Sequence, residues 1–134
     1  MALSSIVIGG MLYICFRSED IKIFSWLRFL NINYSALRQM DLGNNLISSY
    51  IIFSFPNGLW VLSGLLFLGT FLKNEKTFLL LYSGVFILIA LIIELGQLFD
   101  TISGTFDILD LVTIIVFSCF GLYINIHGGK HEKV

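Results

Sequence analysis

Long runs of apolar residues, separated by short polar connectors, dominate the sequence. Four apolar segments can be drawn, at 2–16, 46–72, 78–99 and 106–126. Each of the last three reaches the ~20 residues that a helix needs to cross ~30 Å of hydrocarbon, whereas the first is a marginal span of about 22 Å. Because unpaired backbone groups are costly in lipid, spanning segments of this kind have to be helical. The pattern predicts an all-α membrane protein, a single domain over residues 1–134 that forms a bundle of four transmembrane helices.

The second apolar segment contains an interruption, FSFPNGLW at 53–60. Proline inside a helix removes a backbone donor and clashes with the preceding turn, and Asn57 and Gly58 follow Pro56 directly. We expect a kinked or broken second helix, in which 46–55 enters as a short or re-entrant piece and a helix capped near Asn57 continues to Leu72. The alternative is a proline kink that only shapes the packing, because Pro and Gly are common in membrane helices.

The connector from Arg17 to Asn45 contains an amphipathic stretch, IKIFSWLRFL at 21–30. Apolar residues alternate there with Lys22, Ser25 and Arg28 at near-helical spacing, and Trp26 favours the membrane interface. This pattern predicts an interfacial helical segment in the first loop, although ten residues are also compatible with an ordinary loop.

Composition agrees with the membrane class and excludes others. Hydrophobic residues make up 57% of the chain and charged residues 13%, against about a quarter charged in soluble domains. The formal net charge is −1, and there is no Lys/Arg cluster, so we expect no nucleic-acid partner. The first segment lacks the basic start and the cleavage site of a signal peptide, and we interpret it as a retained first helix.

Basic residues do not decide the orientation in the membrane. On the four-span topology they are balanced four against four between the two sides: Lys73, Lys76, Lys130 and Lys133 on one side, Arg17, Lys22, Arg28 and Arg38 on the other. The residues of the short connector and the tail lie closest to helix ends, which favours both termini in the cytoplasm.

The stretch ELGQLFDTISGTFDILD at 94–110 carries the candidate chemistry. Glu94 and Gln97 share one helix face, and Asp107 and Asp110 share another, because residues three apart lie on the same side of a helix. A tight turn at 103–105, which includes Gly104, folds the two pairs towards each other. The topology also brings the start of the second helix to this end of the bundle. We call Glu94, Asp107 and Asp110 the acidic cluster.

Each polar residue of this stretch also has a structural interpretation. Asp107 is placed to cap the fourth helix, where a carboxylate satisfies free N–H groups and meets the positive end of the helix dipole. Capping explains Asp110 less well. It does not explain Glu94, which lies near a helix C-terminus, the unfavourable end for an acid. Gln97 either orients the acids or simply hydrogen-bonds to them.

Three acids without a basic residue among them leave three chemical interpretations open. A hard cation such as Mg²⁺ or Ca²⁺ takes oxygen ligands, here from the acidic cluster. A shared proton is the second, since like charges and burial raise one carboxyl pKa. In the third, Arg28 and Arg38 fold over the site and contact a phosphate. Zinc is disfavoured, because both histidines lie at the opposite end of the bundle.

At these residues the sequence resembles the VanZ-like family of small bacterial integral membrane proteins. The resemblance covers roughly 45–122 and rests on E-x-x-Q at 94–97, G-T-F-D-I-L-D at 104–110, Gly121 and the F-P-N-G-L-W turn at 55–60. The arginine that the family usually has before the first aspartate, and its asparagine after the second, are replaced here by Gly104/Thr105 and by Thr113 or its neighbours. This indicates a divergent member.

The resemblance implies a role in the cell envelope and a location in the bacterial cytoplasmic membrane. Our leading hypothesis is a protein that binds a cation, or a lipid headgroup through a cation, at the acidic cluster. A second hypothesis is a non-enzymatic structural or accessory subunit that associates with other membrane subunits. A weaker third is a lipid-modifying enzyme with Glu94 as general base. Membrane lipids are the expected partners in the first case.

Overall fold

The chain is almost entirely helical in the computed structural model, which describes residues 2–16, 22–33, 45–102 and 105–128. Every regular element in these ranges is an α-helix, so the all-α prediction is confirmed for them. The helices are α1 (Ala2–Phe16), α2 (Lys22–Phe29), α3 (Leu46–Phe53), α4 (Phe55–Leu72), α5 (Lys76–Leu98) and α6 (Ile108–His127).

Three helical segments are long and apolar enough to cross a membrane. They are Leu46–Leu72, Lys76–Leu98 and Ile108–His127, of 27, 23 and 20 residues. Helix α1 is apolar but has only 15 residues, and a fourth span is not confirmed. Length and hydropathy therefore indicate an integral membrane protein with three segments able to span the membrane, and the shorter apolar helix α1 packs against the first of them.

Large apolar side chains cover the outside of the long helices. On α5, the only buried residues are Leu79, Ser83, Ala90 and Glu94, while most of its Leu, Ile, Val and Phe side chains are exposed. In water such a surface would be unfavourable, but lipid tails are as apolar as leucine. The exposed surface thus fits a hydrocarbon environment, and the buried positions show which face of each helix packs against its neighbours.

The second apolar segment is broken at Ser54, between α3 and α4. The Ser54 N–H still donates to Tyr50 O (3.0 Å), and Ser54 O accepts from the N–H of Asn57 (3.1 Å), so the two helices follow each other directly. Pro56 occupies the first turn of α4, where its missing N–H has no intrahelical partner to lose. The expected interruption is confirmed, since α3 and α4 are separate helices, whereas the re-entrant arrangement of 46–55 stays a prediction. The expected cap at Asn57 is wrong: Pro56, Asn57 and Gly58 are helical.

Helices α4 and α6 run parallel and in close contact. A Cβ on Gly58 would lie 2.6 Å from Thr113 Cγ2, and one on Gly121 would lie 2.9 Å from Leu65 Cδ1. Further along, Asn125 Nδ2 donates to Leu65 O (2.8 Å). Because lipid supplies no hydrophobic force between helices, small residues and interhelical hydrogen bonds hold such pairs together. This pair forms the centre of the protein.

Helix α1 packs antiparallel against α4. Ser63 Oγ donates to Ala2 O (3.0 Å), and further along α1 a Cβ on Gly9 would lie 3.4 Å from Leu59 Cβ. The C-terminal half of α1 therefore lies beside the first turns of α4 and beside α3.

Helix α2 confirms the helical stretch expected in the first loop. Phe24 is completely buried, whereas Trp26 and Phe29 are exposed. Arg28 is also exposed. The remainder of this connector, including Arg38, lies outside the described residues.

Candidate polar site at one end of the bundle

Three helices bring polar side chains to the same depth at one end of the bundle. On α5, Phe86 packs on Trp60 of α4 with ring centroids 5.2 Å apart. Glu94 lies eight residues further along α5, about 12 Å. Since the short connector 73–75 makes α4 and α5 antiparallel, Glu94 reaches the level of Ser54. On α6, Asp110 lies one turn before Thr113 and arrives at the same level.

Glu94 is buried and hydrogen-bonded across the turn. Its side chain is 4% exposed, and Oε1 accepts from the backbone N–H of Asp107 (3.3 Å). Although Glu94 lies near the C-terminal end of its own helix, this bond places it at the N-terminal end of α6, where the helix dipole favours a negative charge. Glu94 therefore contacts a helix N-terminus, which belongs to the neighbouring helix α6. This contact was not predicted from the sequence.

Asp107 begins α6 as its N-cap. Its backbone is extended, and its Oδ1 accepts from the N–H of Leu109 (2.9 Å), which satisfies one of the free donors of the first turn. The capping role predicted from the sequence is confirmed, and it uses one oxygen of the Asp107 carboxylate.

Asp110 is the third acid and is also buried, at 7% exposure. It lies in the first turn of α6, one turn inside the cap. The carboxylates of Asp110 and Asp107 both act electrostatically on that of Glu94. Asp110 and Asp107 therefore both lie near Glu94; Glu94 and Asp110 are buried and Asp107 is half-buried.

Neutral hydroxyl groups lie at the same level. Thr113 is 2% exposed, and its Oγ1 donates to Tyr50 Oη (3.1 Å), which joins α6 to α3. The Ser54 hydroxyl at the helix break is buried and forms no hydrogen bond in the part of the chain that is described. Sequence reasoning noted Thr113 only as a replacement in the family pattern. Its spacing of three from Asp110 could have placed it on the same face.

Gln97 does not orient the acids. It is half-buried one turn after Glu94, and within the described ranges its side chain forms no hydrogen bond with Glu94 or Asp110. The backbone carbonyl of Gln97 accepts from the N–H of Asp100 (3.2 Å). Asp100 has a φ of 52°, and this backbone conformation ends the helical path of α5. Gly104, the glycine expected in this turn, lies outside the described residues.

Arg28 does not join the acidic cluster. Arg28 is exposed on α2 and forms no ion pair with the acidic cluster, while Arg38 lies outside the described ranges. No Lys, Arg or His of those ranges pairs with Glu94 either, and its charged neighbours are both aspartates.

A three-carboxylate metal site is not formed. Among the residues that the structure describes, no group of three or more His, Cys, Asp or Glu side chains is arranged to hold a metal ion. Asp107 Oδ1 instead accepts from the N–H of Leu109 as the cap of α6. Glu94 and Asp110 remain as a pair of acids on neighbouring helices.

Comparison of the chain with protein-family models, with curated proteins and with solved structures gave no match. The VanZ-like resemblance stays a prediction from the motifs themselves.

Proposed function

We propose that this chain is a small integral membrane protein of the VanZ-like type, located in the bacterial cytoplasmic membrane, that binds a cation at Glu94 and Asp110. The observation that carries the proposal is the state of Glu94. It is a carboxylate with 4% exposure, beside two other acids and without a basic partner in the described ranges. A buried carboxylate in an apolar protein requires a positive charge or a proton nearby.

The ligand set favours a hydrated cation over a fully protein-bound one. Ca²⁺ takes six to eight oxygen ligands, whereas Mg²⁺ keeps several of its waters and needs only one or two carboxylates. Glu94 and Asp110 provide two, and the nearby hydroxyls of Thr113 and Tyr50 suit hydrogen bonds to metal-bound water. The bound Mg²⁺ would in turn hold the phosphate of a lipid headgroup at this end of the bundle, which links the site to cell-envelope lipids.

Magnesium binding tests this function directly. Purified protein in a nonionic detergent is titrated with Mg²⁺ by isothermal titration calorimetry, and Glu94→Gln and Asp110→Asn are compared with wild type. Each is expected to weaken binding by about tenfold or more, because each removes one charge-assisted contact. Asp100→Asn is the matched control: Asp100 is exposed in the same connector, and this variant is expected to bind as wild type does. Equal affinity in all four proteins would contradict the proposal.

A structural role is the second candidate, and the hydrogen bond from Asp107 N–H to Glu94 favours it. In that case the polar residues lock α5 to α6, and the protein acts as a non-enzymatic accessory subunit for other membrane proteins. Glu94→Gln separates the two functions, because the glutamine oxygen can still accept the bond while the charge is lost. Loss of Mg²⁺ binding at unchanged thermal stability supports the cation site. Mg²⁺ binding equal to that of wild type in this variant supports the structural role.

A further inference from the structure

A groove of about 230 Å³ lies between α1 and α4, away from the acidic cluster. The groove is lined on α1 by residues that include Ile6, Gly10 and Tyr13, and on α4 by residues that include Asn57 and Trp60. No member of the acidic cluster lines it. Gly58 faces α6, whereas Asn57 lies on the side of α4 that faces α1.

Two adjacent glycines of α1 form the groove: Gly9 allows close contact with α4, and Gly10 leaves space beside it. At Gly9, α1 touches α4, since a Cβ there would lie 3.4 Å from Leu59 Cβ. At Gly10, nothing lies within 4 Å of the position that a Cβ would take. The missing side chain of Gly10 therefore leaves open space beside α4.

The depth of the groove places it among lipid chains. Asn57 lies three residues inside the Ser54 break, about 4.5 Å, and Gly10 lies six residues before the end of α1 at Phe16, about 9 Å. Both belong to helices whose outward faces are apolar, and α4 is part of the spanning segment Leu46–Leu72. The groove is therefore next to the acyl chains and the glycerol esters of one leaflet.

Asn57 gives the groove a polar end. Its side chain is half-buried and forms no hydrogen bond with a residue of the described ranges. An amide without a partner in an apolar medium costs free energy that a ligand oxygen would recover. Trp60 is 47% exposed at the edge of the groove, an aromatic ring with an apolar body and one N–H donor.

We propose that this groove binds one phospholipid. One acyl chain lies along Ile6, Gly10 and Trp60, and an ester oxygen of the same lipid accepts a hydrogen bond from the Asn57 amide. The groove selects an acyl chain because its walls are apolar and it adjoins the hydrocarbon. It selects an ester because the Asn57 side-chain amide, which forms no hydrogen bond with a described residue, lies at its end. The site is independent of the cation proposed for Glu94 and Asp110.

Native mass spectrometry of the full chain tests the groove. Delipidated protein in detergent is titrated with phosphatidylglycerol, and the fraction that carries one lipid is measured for wild type and three variants. Gly10→Leu adds a side chain to the groove at a position where a Cβ meets nothing within 4 Å, and we expect at least a tenfold loss of affinity. Gly84→Leu adds the same side chain on α5, where a Cβ also meets nothing within 4 Å, and we expect wild-type binding. Asn57→Leu is expected to weaken binding by about two- to tenfold, the range of one neutral hydrogen bond.

The comparison of Gly10→Leu with Gly84→Leu decides the proposal. Equal binding in both variants, whether at the wild-type level or reduced, would show that lipid adsorbs on the outer surface and would overturn it. Circular dichroism verifies that each variant is helical. If Gly10→Leu does not fold, Ile6→Trp fills the same groove from an exposed position and carries the same expectation.

Discussion

At the scale of single residues, Glu94 shows how a membrane helix accommodates an acid close to its C-terminal end. Its own helix dipole is unfavourable there, but the N–H of Asp107 points at it from the start of α6, so the neighbouring helix supplies the partial positive charge. The hydrogen bond of Glu94 therefore depends on the position of the Asp107 backbone at the start of α6. Glu94 is therefore expected to contribute to the stability of the protein as well as to the proposed cation binding.

The effect of a substitution at Glu94 on thermal stability is predicted to depend on whether the new side chain keeps a hydrogen-bond acceptor, and not on whether it keeps the charge. Glu94→Gln keeps an oxygen for the Asp107 N–H, so thermal unfolding in detergent should occur within a few degrees of wild type. Glu94→Leu removes the acceptor and leaves the N–H of the half-buried Asp107 without it, which costs up to about 1–3 kcal/mol. Differential scanning fluorimetry measures both. A Gln variant as unstable as the Leu variant would contradict this explanation.

Some of these residue contacts could be predicted from the sequence and others could not. Asp107 as a cap follows from a local pattern, an acid directly before an apolar run. The bond to Glu94 depends on how the chain crosses a turn, and the Tyr50–Thr113 contact joins residues 63 apart. Local spacing carries no information on contacts of that kind, so the hydroxyl neighbours of the acids could not be predicted from it.

At the scale of helices, the packing of α4 on α6 depends on glycine at points of close approach. A side chain at Gly58 would meet Thr113 Cγ2 at 2.6 Å and the Phe117 ring at 2.6 to 2.9 Å. Sequence reasoning used Gly58 as part of a turn, because Pro, Asn and Gly together are typical of turns. In the structure the proline starts a helix at its first turn, and the glycine then serves contact with another helix.

Gly58→Leu is predicted to destabilise the protein by about 1–3 kcal/mol, the usual effect of overpacking. Gly84→Leu is its matched control, because the same substitution in another helix meets open space. The control should be neutral or stabilising by up to about 1 kcal/mol, since leucine has the higher helix propensity. Thermal unfolding of both variants in the same detergent measures the difference. Similar loss in both would argue against close packing at Gly58.

At the scale of the whole molecule, the directions of the three spanning segments were predictable and the number of spans was not. Hydropathy and the short connector 73–75 fix the alternation of α4, α5 and α6. The first segment was ambiguous from the start, because its 15 helical residues are fewer than the ~20 that a span requires. Length alone does not distinguish a marginal span from a helix that packs beside longer ones.

The topology predicts that the two connectors on either side of α5 lie on opposite faces of the membrane. The free cysteines, Cys15 and Cys119, are first replaced by alanine, and single cysteines are then introduced at the exposed positions Asn74 and Thr101. A membrane-impermeant maleimide applied to one side of sealed vesicles should label one variant and not the other. The cysteine-free parent controls for background, and labelling of both from the same side would refute the arrangement.

The break at Ser54 gives α3 the geometry of a lever arm. The segment from Asn45 to Ser54 is about 13 Å long, so a bend of about 10° at the break moves its outer end by about 2 Å. Tyr50 lies near the middle of this arm, and its hydroxyl group is bonded to Thr113, one turn from Asp110. A bend at Ser54 would therefore change the position of Tyr50 relative to Thr113, and the hydrogen bond between these two side chains is the contact through which it would reach the edge of the polar site.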